Sequence, residues 1–378
     1  MGGETFLEQE TKKRPWHGLL GPAAGAAALG LLLTMALTGD RARAAAATAA
    51  LELSRPEAVA AAAQAELGDT VIPLGRAVGI KLFADGVMVV GLSEVDTAAG
   101  SSAPAKSCGL REGDIITHIN SEEVGTIEEV QSILQDLEGE TMSIRARRDG
   151  EELQVTAQAV QCASDGSYKL GAWIRDSMAG IGTMTFYDPA SGVFGALGHG
   201  ISDVDTAQLM PLQSGSIMYA TVQDVRPGEV GAPGELHGAF QASRDLGELY
   251  CNSSSGIFGT LTDTSLTAGV EAVPVAGRDE VHTGKAVIRS NIAGDEVKEY
   301  EVEITHIYPE GSGKDMTVKV TDEALLSATG GIVQGMSGSP ILQDGKLIGA
   351  VTHVLVNDPT QGYGILLEHM LDAADSPA

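Results

Sequence analysis

Cysteine is nearly absent from this chain of 378 residues. The three present, Cys108, Cys162 and Cys251, cannot build a disulfide framework, because at most one pair can form. Cysteine and histidine nowhere fall at zinc-ligand spacing, so no metal and no cofactor is expected. Aromatic residues are scarce, at 4%. Basic residues are outnumbered too. Twenty-four Lys and Arg against 51 Asp and Glu leave a formal net charge of −27, which argues against a nucleic-acid partner, whose binder would carry a basic footprint. Solubility is the plain reading of that acidity.

What is abundant is glycine, with 48 residues, beside a hydrophobic share of 43%. That balance suits many short strands and tight turns better than long helices. The length suits two domains plus a tail. Residues 1–14 are polar and end in Lys12-Lys13-Arg14. Residues 15–39 contain no Asp, Glu, Lys or Arg, and the apolar part from Leu19 to Leu37 just meets the length of a membrane span. The basic cluster before it would stay cytoplasmic and place the body outside. A cleaved signal peptide is the competing reading, because Ala42-Arg43-Ala44 follows. The apolar run is long for a signal peptide, which favours a retained anchor. Either way the rest of the chain is exported. Residues 40–70 read as an Ala/Glu-rich stalk with Pro56 as a breaker.

The next unit is assigned to residues 71–162. Its most specific stretch is Gly109-Leu110-Arg111-Glu112-Gly113-Asp114-Ile115-Ile116. A helix over 126–134 follows, with positions 127, 130, 133 and 134 on one face. Then come a strand and an Asp149-Gly150 hairpin turn. This order resembles a PDZ domain of the kind attached to proteases. The resemblance implies peptide capture by strand addition. The loop Val78-Gly79-Ile80 would offer backbone N–H groups to a peptide carboxylate, with the helix as the opposite wall. A groove occupied internally, with no separate ligand, is the alternative.

Residues 163–378 read as almost entirely short strands and turns, fitting a barrel pair or a sandwich. In the stretch 298–305, Tyr300, Val302 and Ile304 share one face. No internal repeat is visible.

Two glycine-rich segments carry the chemistry. Gly330-Gly331-Ile332-Val333-Gln334-Gly335-Met336-Ser337-Gly338-Ser339-Pro340 resembles the setting in which chymotrypsin-like proteases present a nucleophile. Glycines permit positive φ, so the N–H groups of Gly335 and Ser337 would converge as an oxyanion hole. His199 lies in Phe194-Gly195-Ala196-Leu197-Gly198-His199-Gly200-Ile201, flanked by glycine on both sides. Ser339 is the fallback nucleophile, stiffened by Pro340.

These segments, followed by Gly349-Ala350-Val351-Thr352-His353-Val354, resemble the stage IV sporulation protein B family of membrane-anchored serine peptidases with a PDZ domain. The resemblance implies Ser337 as nucleophile, His199 as general base and Asp322 as the third member. Asp322 stands 15 residues before the serine, unusually late, and capping a helix is its alternative role. Asp203, Asp205 and Asp224 are the other carboxylates in view, and Thr352 would line the cleft. The expected fold is mainly β: an N-terminal transmembrane helix, a small α+β PDZ domain and an all-β, double-barrel peptidase domain. The family further implies a protein substrate in a membrane complex, autocleavage, and action between mother-cell and forespore membranes that leads to processing of a sigma factor precursor. A catalytically idle PDZ adaptor is the alternative function.

Overall fold

The computed structural model describes residues 68–312 and 314–375. The expected anchor and nearly all of the stalk lie outside the described residues. Among the described residues no helix is long and apolar enough to cross a membrane.

Chain entry is through one very long strand, β1 (Thr70–Leu92), mostly buried on both faces. Numbering the principal strands onward gives β2 (Ile115–Ile119), β3 (Thr141–Arg148), β4 (Glu151–Gln158), β5 (Ala172–Tyr187), β6 (Val193–Ala196), β7 (Leu212–Arg226), β8 (Glu235–Ser253) and β9 (Gly256–Leu261). The second half of the chain supplies β10 (Gly284–Ala293), β11 (Glu296–Ile307), β12 (Met316–Val320), β13 (Pro340–Gln343), β14 (Lys346–Leu355) and β15 (Asp358–Leu366). The helices are α1 (Pro104–Cys108), α2 (Ile127–Asp136), α3 (Glu323–Thr329) and α4 (Leu367–Asp375).

Two antiparallel rings result. In the first, β1 pairs with β5 on one side and β7 on the other, and the circuit closes through β6, β9 and β8. Val78, Ile80, Met184, Phe194, Ile217, Leu246 and Ile257 fill it. In the second, β10, β11, β12, β15, β14 and β13 form a closed barrel. Its core includes Ile288, Val302, Ile304, Val318 and Ile341. The alternation in β11 holds, since Tyr300, Val302 and Ile304 are all buried. The double-barrel architecture is therefore present without a repeat legible in the sequence. Closure leaves no open edge in either ring.

The PDZ unit sits inside the first barrel's sequence. The far end of β1 pairs with β2 at Val87 and Met88, and β2, β3 and β4 continue that sheet. The start of β5 pairs back onto the end of β1, Leu92 against Ala172 and Gly91 against Trp173. One pair of strands thus leaves the barrel, carries the PDZ unit and returns. Helix α2 covers this sheet. Thr126 caps it in a reciprocal box with Glu129, and Val130 and Leu134 are buried. The Asp149-Gly150 turn has φ of 51° and 83°, both positive as a tight hairpin requires.

This corrects the start of the PDZ unit at residue 71. Residues 70–84 belong to the barrel, and the inserted unit begins after them. It also corrects the expected peptide loop. Val78, Gly79 and Ile80 form no loop. They lie mid-strand, paired with Gly182, Ile181 and Gly180 on β5 and with Tyr219, Met218 and Ile217 on β7. A Cβ on Gly79 would come within 2.5 Å of the Phe240 side chain, so Gly79 serves barrel packing.

The nesting predicts which truncation folds. Replacing residues 86–174 by a short glycine-rich turn keeps every barrel strand, and cooperative thermal unfolding followed by circular dichroism is expected to persist. Deleting residues 71–162 removes β1 and is expected to abolish that transition. The reverse pattern would refute the nested arrangement.

Candidate active site

The two barrels present their loops to one cleft of about 460 Å³, lined by both His199 and Ser337. His199 comes from the first barrel, just after β6. The chain turns there through two consecutive left-handed residues, Leu197 at φ 69° and Gly198 at φ 68°. Leu197 is an uncommon residue for that region, and such strain persists only where the surroundings hold it. It is buried in the barrel core, and its N–H donates to the Thr183 carbonyl at 3.1 Å.

Ser337 comes from the second barrel, between α3 and β13. Met336 beside it is completely buried in the barrel core and anchors the turn. Gly335 and Gly338 both have φ of 95°. A Cβ on Gly338 would lie 2.0 Å from the Thr183 carbonyl oxygen, so only glycine fits after the serine.

The expected oxyanion donors are placed by their neighbours. The Gln334 carbonyl accepts from Leu236 N at 2.9 Å, and the Met336 carbonyl accepts from Ser339 N at 3.0 Å. Each fixes a peptide plane whose opposite edge is the N–H of Gly335 or of Ser337. Among the described residues neither N–H is engaged in a backbone or side-chain hydrogen bond. Both residues line the cleft.

His199 Nδ1 lies 2.8 Å from the Gly200 carbonyl oxygen. A carbonyl only accepts, so Nδ1 carries the hydrogen and Nε2 keeps its lone pair, the tautomer a general base needs. Burial pushes the His199 pKa below the usual imidazole value. The Ser337 hydroxyl donates to the Thr352 carbonyl at 2.6 Å. Serine and histidine thus share the cleft while the hydroxyl proton points to backbone. Rotation of the serine side chain to another staggered position is required before attack.

Asp322 does not orient His199. One of its oxygens accepts from Leu325 N at 2.9 Å, capping α3, and the other accepts from Glu301 N at 3.4 Å. The backbone carbonyl of Gly200 occupies the position at Nδ1 that a carboxylate would take. Asp203 is fully buried and tied to Arg175 and to Thr206, while Asp205 also pairs with Arg175. Asp224 is exposed on β7. The fallback Ser339 is fully buried, its hydroxyl 3.1 Å from that of Ser290, and is no nucleophile. Thr352 lines the cleft as expected.

Two residues escaped sequence reasoning. His353 stacks on His199, ring centroids 4.8 Å apart and tilted by 36°. Thr183 on β5 is buried, and its N–H donates to the Ser337 carbonyl at 3.0 Å while its hydroxyl donates to the Gly335 carbonyl at 2.7 Å. Val78, Gly79 and Ile80 also stand apart from the recess beside α2. This recess of about 1030 Å³ runs between α2 and the first residues of β5, with Trp173 66% exposed at its rim.

A model of the SpoIVB peptidase S55 family matches residues 166–371. The chain belongs to that family. A PDZ domain model matches residues 95–148. This S55 peptidase is 38% identical over 72 residues to the zinc metalloprotease RasP of Shouchella clausii, a match spanning 19% of this chain and 17% of the relative's length. Among solved structures, the PDZ domain of the SdrC-like protein from Listeria monocytogenes is 22% identical, covering 24% of this chain and 87% of that one at a TM-score of 0.20. The HtrA-type protease AlgW with decapeptide is 13% identical, covering 53% of each chain at 0.32. The active form of the Rv3671c protease from M. tuberculosis is 14% identical, covering 53% and 76% at 0.30. The S55 peptidase is a serine peptidase carrying a PDZ domain.

Three outcomes follow for its kinetics. Ser337→Ala and His199→Ala are each expected to lower kcat by on the order of 10⁶, with the double variant scarcely worse. Asp322→Ala is expected to leave kcat near the parent value while costing ~1 kcal/mol in denaturant unfolding, as loss of a helix cap does. The acid limb of kcat/KM is expected below the ordinary imidazole value of 6.5, since burial disfavours the charged ring. A limb above that value would place a different group in the base's role.

Proposed function

We propose that this peptidase is an exported, membrane-anchored endopeptidase. It cuts a protein partner in a membrane complex, and itself, in sporulation signalling that leads to processing of a sigma factor precursor. The observation that supports the catalytic part best is the convergence of Ser337, His199 and the N–H groups of Gly335 and Ser337 on one cleft. The sporulation setting is supported by the family name and by the order of motifs along the chain. The anchor is supported by the uncharged run at 15–39.

The chemistry follows from the geometry. Ser337 Oγ turns from the Thr352 carbonyl to His199 Nε2, which takes its proton as Oγ adds to the scissile carbonyl. The carbonyl oxygen, now negative, receives hydrogen bonds from Gly335 N and Ser337 N. Nδ1–H on the Gly200 carbonyl steadies the imidazolium. Nε2–H then protonates the leaving amine, and water hydrolyses the acyl-enzyme through the same base. The groove between α2 and β5 would admit a peptide strand along Ala172–Ile174, which has no strand partner on that side among the described residues. Its occupancy would regulate cleavage.

One observation favours an idle PDZ adaptor instead, namely the serine proton held by the Thr352 carbonyl. A fluorophosphonate probe separates the two. The parent chain is expected to label, Ser337→Ala is not, and self-cleavage of the full chain in cells is expected to stop in the same variant. An unlabelled parent would establish the adaptor.

A further inference from the structure

The cleft is as distinctive for what it excludes as for what it holds. Twenty residues line it, and none is Asp, Glu, Lys or Arg, in a chain where those types make up 20%. Beside the nucleophile turn its wall is Ile332, Val333, Val354 and Val356. Ile332 and Val333 are each only 2% exposed and belong to the second barrel's core, so this wall is fixed by packing. Ile332 reaches over Gly362 on β15, where an added Cβ would come within 2.6 Å of its methyl group. Val333 is also tied to the turn, its carbonyl accepting from Met336 N at 3.1 Å. Across the cleft, Met178 and Ile181 on β5 are apolar as well.

We infer that this cleft selects substrates by an apolar, uncharged side chain at the residue whose carbonyl Ser337 attacks, seated against Ile332, Val333, Val354 and Val356. This rests on the peptidase reading and names its substrate class. A charged side chain there would lose water with no partner in return, so lysine and aspartate are both rejected. An aliphatic one gains with each buried methylene, and a difference of one methylene in such a pocket changes kcat/KM by roughly 10–200-fold.

The test uses the full-length protein in detergent on a peptide library made from digested cell protein, with new termini read by mass spectrometry. Leu, Ile, Val or Met is expected before the cut. A matched pair of quenched peptides differing only in Leu or Ala at that position is expected to differ by at least about tenfold in kcat/KM. Val354→Asp is expected to gain cleavage after Lys and lose cleavage after Leu, and Val356→Asp, at a 46% exposed position, repeats the test where folding is less at stake. Cuts after Lys, Arg, Asp or Glu by the parent would overturn the proposal. So would a library left uncut by enzyme that labels with fluorophosphonate. Labelling of Ser337 is scored separately. A labelled enzyme with charged preferences sinks only the specificity, whereas an unlabelled one sinks the peptidase reading beneath it.

Discussion

Thr183 ties the two halves of the candidate active site together. Its carbonyl takes the Leu197 N–H, which sets the histidine loop, and its N–H and hydroxyl take the carbonyls of Ser337 and Gly335, which set the serine turn. His199 and Ser337 come from different barrels, more than 100 residues apart in sequence, yet the turns that carry them are registered against the same buried threonine. A cross-barrel site needs such a common reference, because a displacement of about 1 Å is enough to lose around a hundredfold in rate. The glycine at 338 belongs to the same constraint, since any side chain there would collide with the Thr183 carbonyl.

Ser337 and His199 were legible in the sequence because their neighbours are unusual. Sharp turns with positive φ demand glycine, and glycine is visible in a sequence. The group that orients the histidine was not legible, because it is a backbone carbonyl, Gly200, and every residue has one. Asp322 drew attention as a carboxylate in a plausible order, but an Asp followed by Glu323-Ala324-Leu325-Leu326 is equally a helix cap. Local hydrogen bonding decided for the cap. Thr183 carried no signal at all, lying in a strand of alternating threonine and apolar residues.

The mainly-β class, with a PDZ unit and a barrel peptidase domain, was read correctly, while the start of the PDZ unit was not, for one reason. β1 is apolar over nearly its whole length, so nothing in its composition marks where the barrel ends and the PDZ unit begins. Val78-Gly79-Ile80 has the apolar-glycine-apolar pattern of a carboxylate loop, and its true surroundings come from β5, β7 and Phe240, all far along the chain. The helix at α2 and the hairpin turn at Asp149-Gly150 were easier, because a capping box and a tight turn are settled by adjacent residues.

Strand β1 also sets the order of events at the ribosome. It emerges first, but its partner β5 begins only at residue 172, and its other neighbour β7 only at 212. At about 5–20 residues per second, a strand of 23 residues waits several seconds with its barrel face uncovered. The PDZ unit can condense in that interval around the strand's far end, bringing Leu92 and Ala172 side by side. Formed early, it would hold the start of β5 in register against the end of β1, and a first strand paired in that way is no longer an open edge for foreign strands.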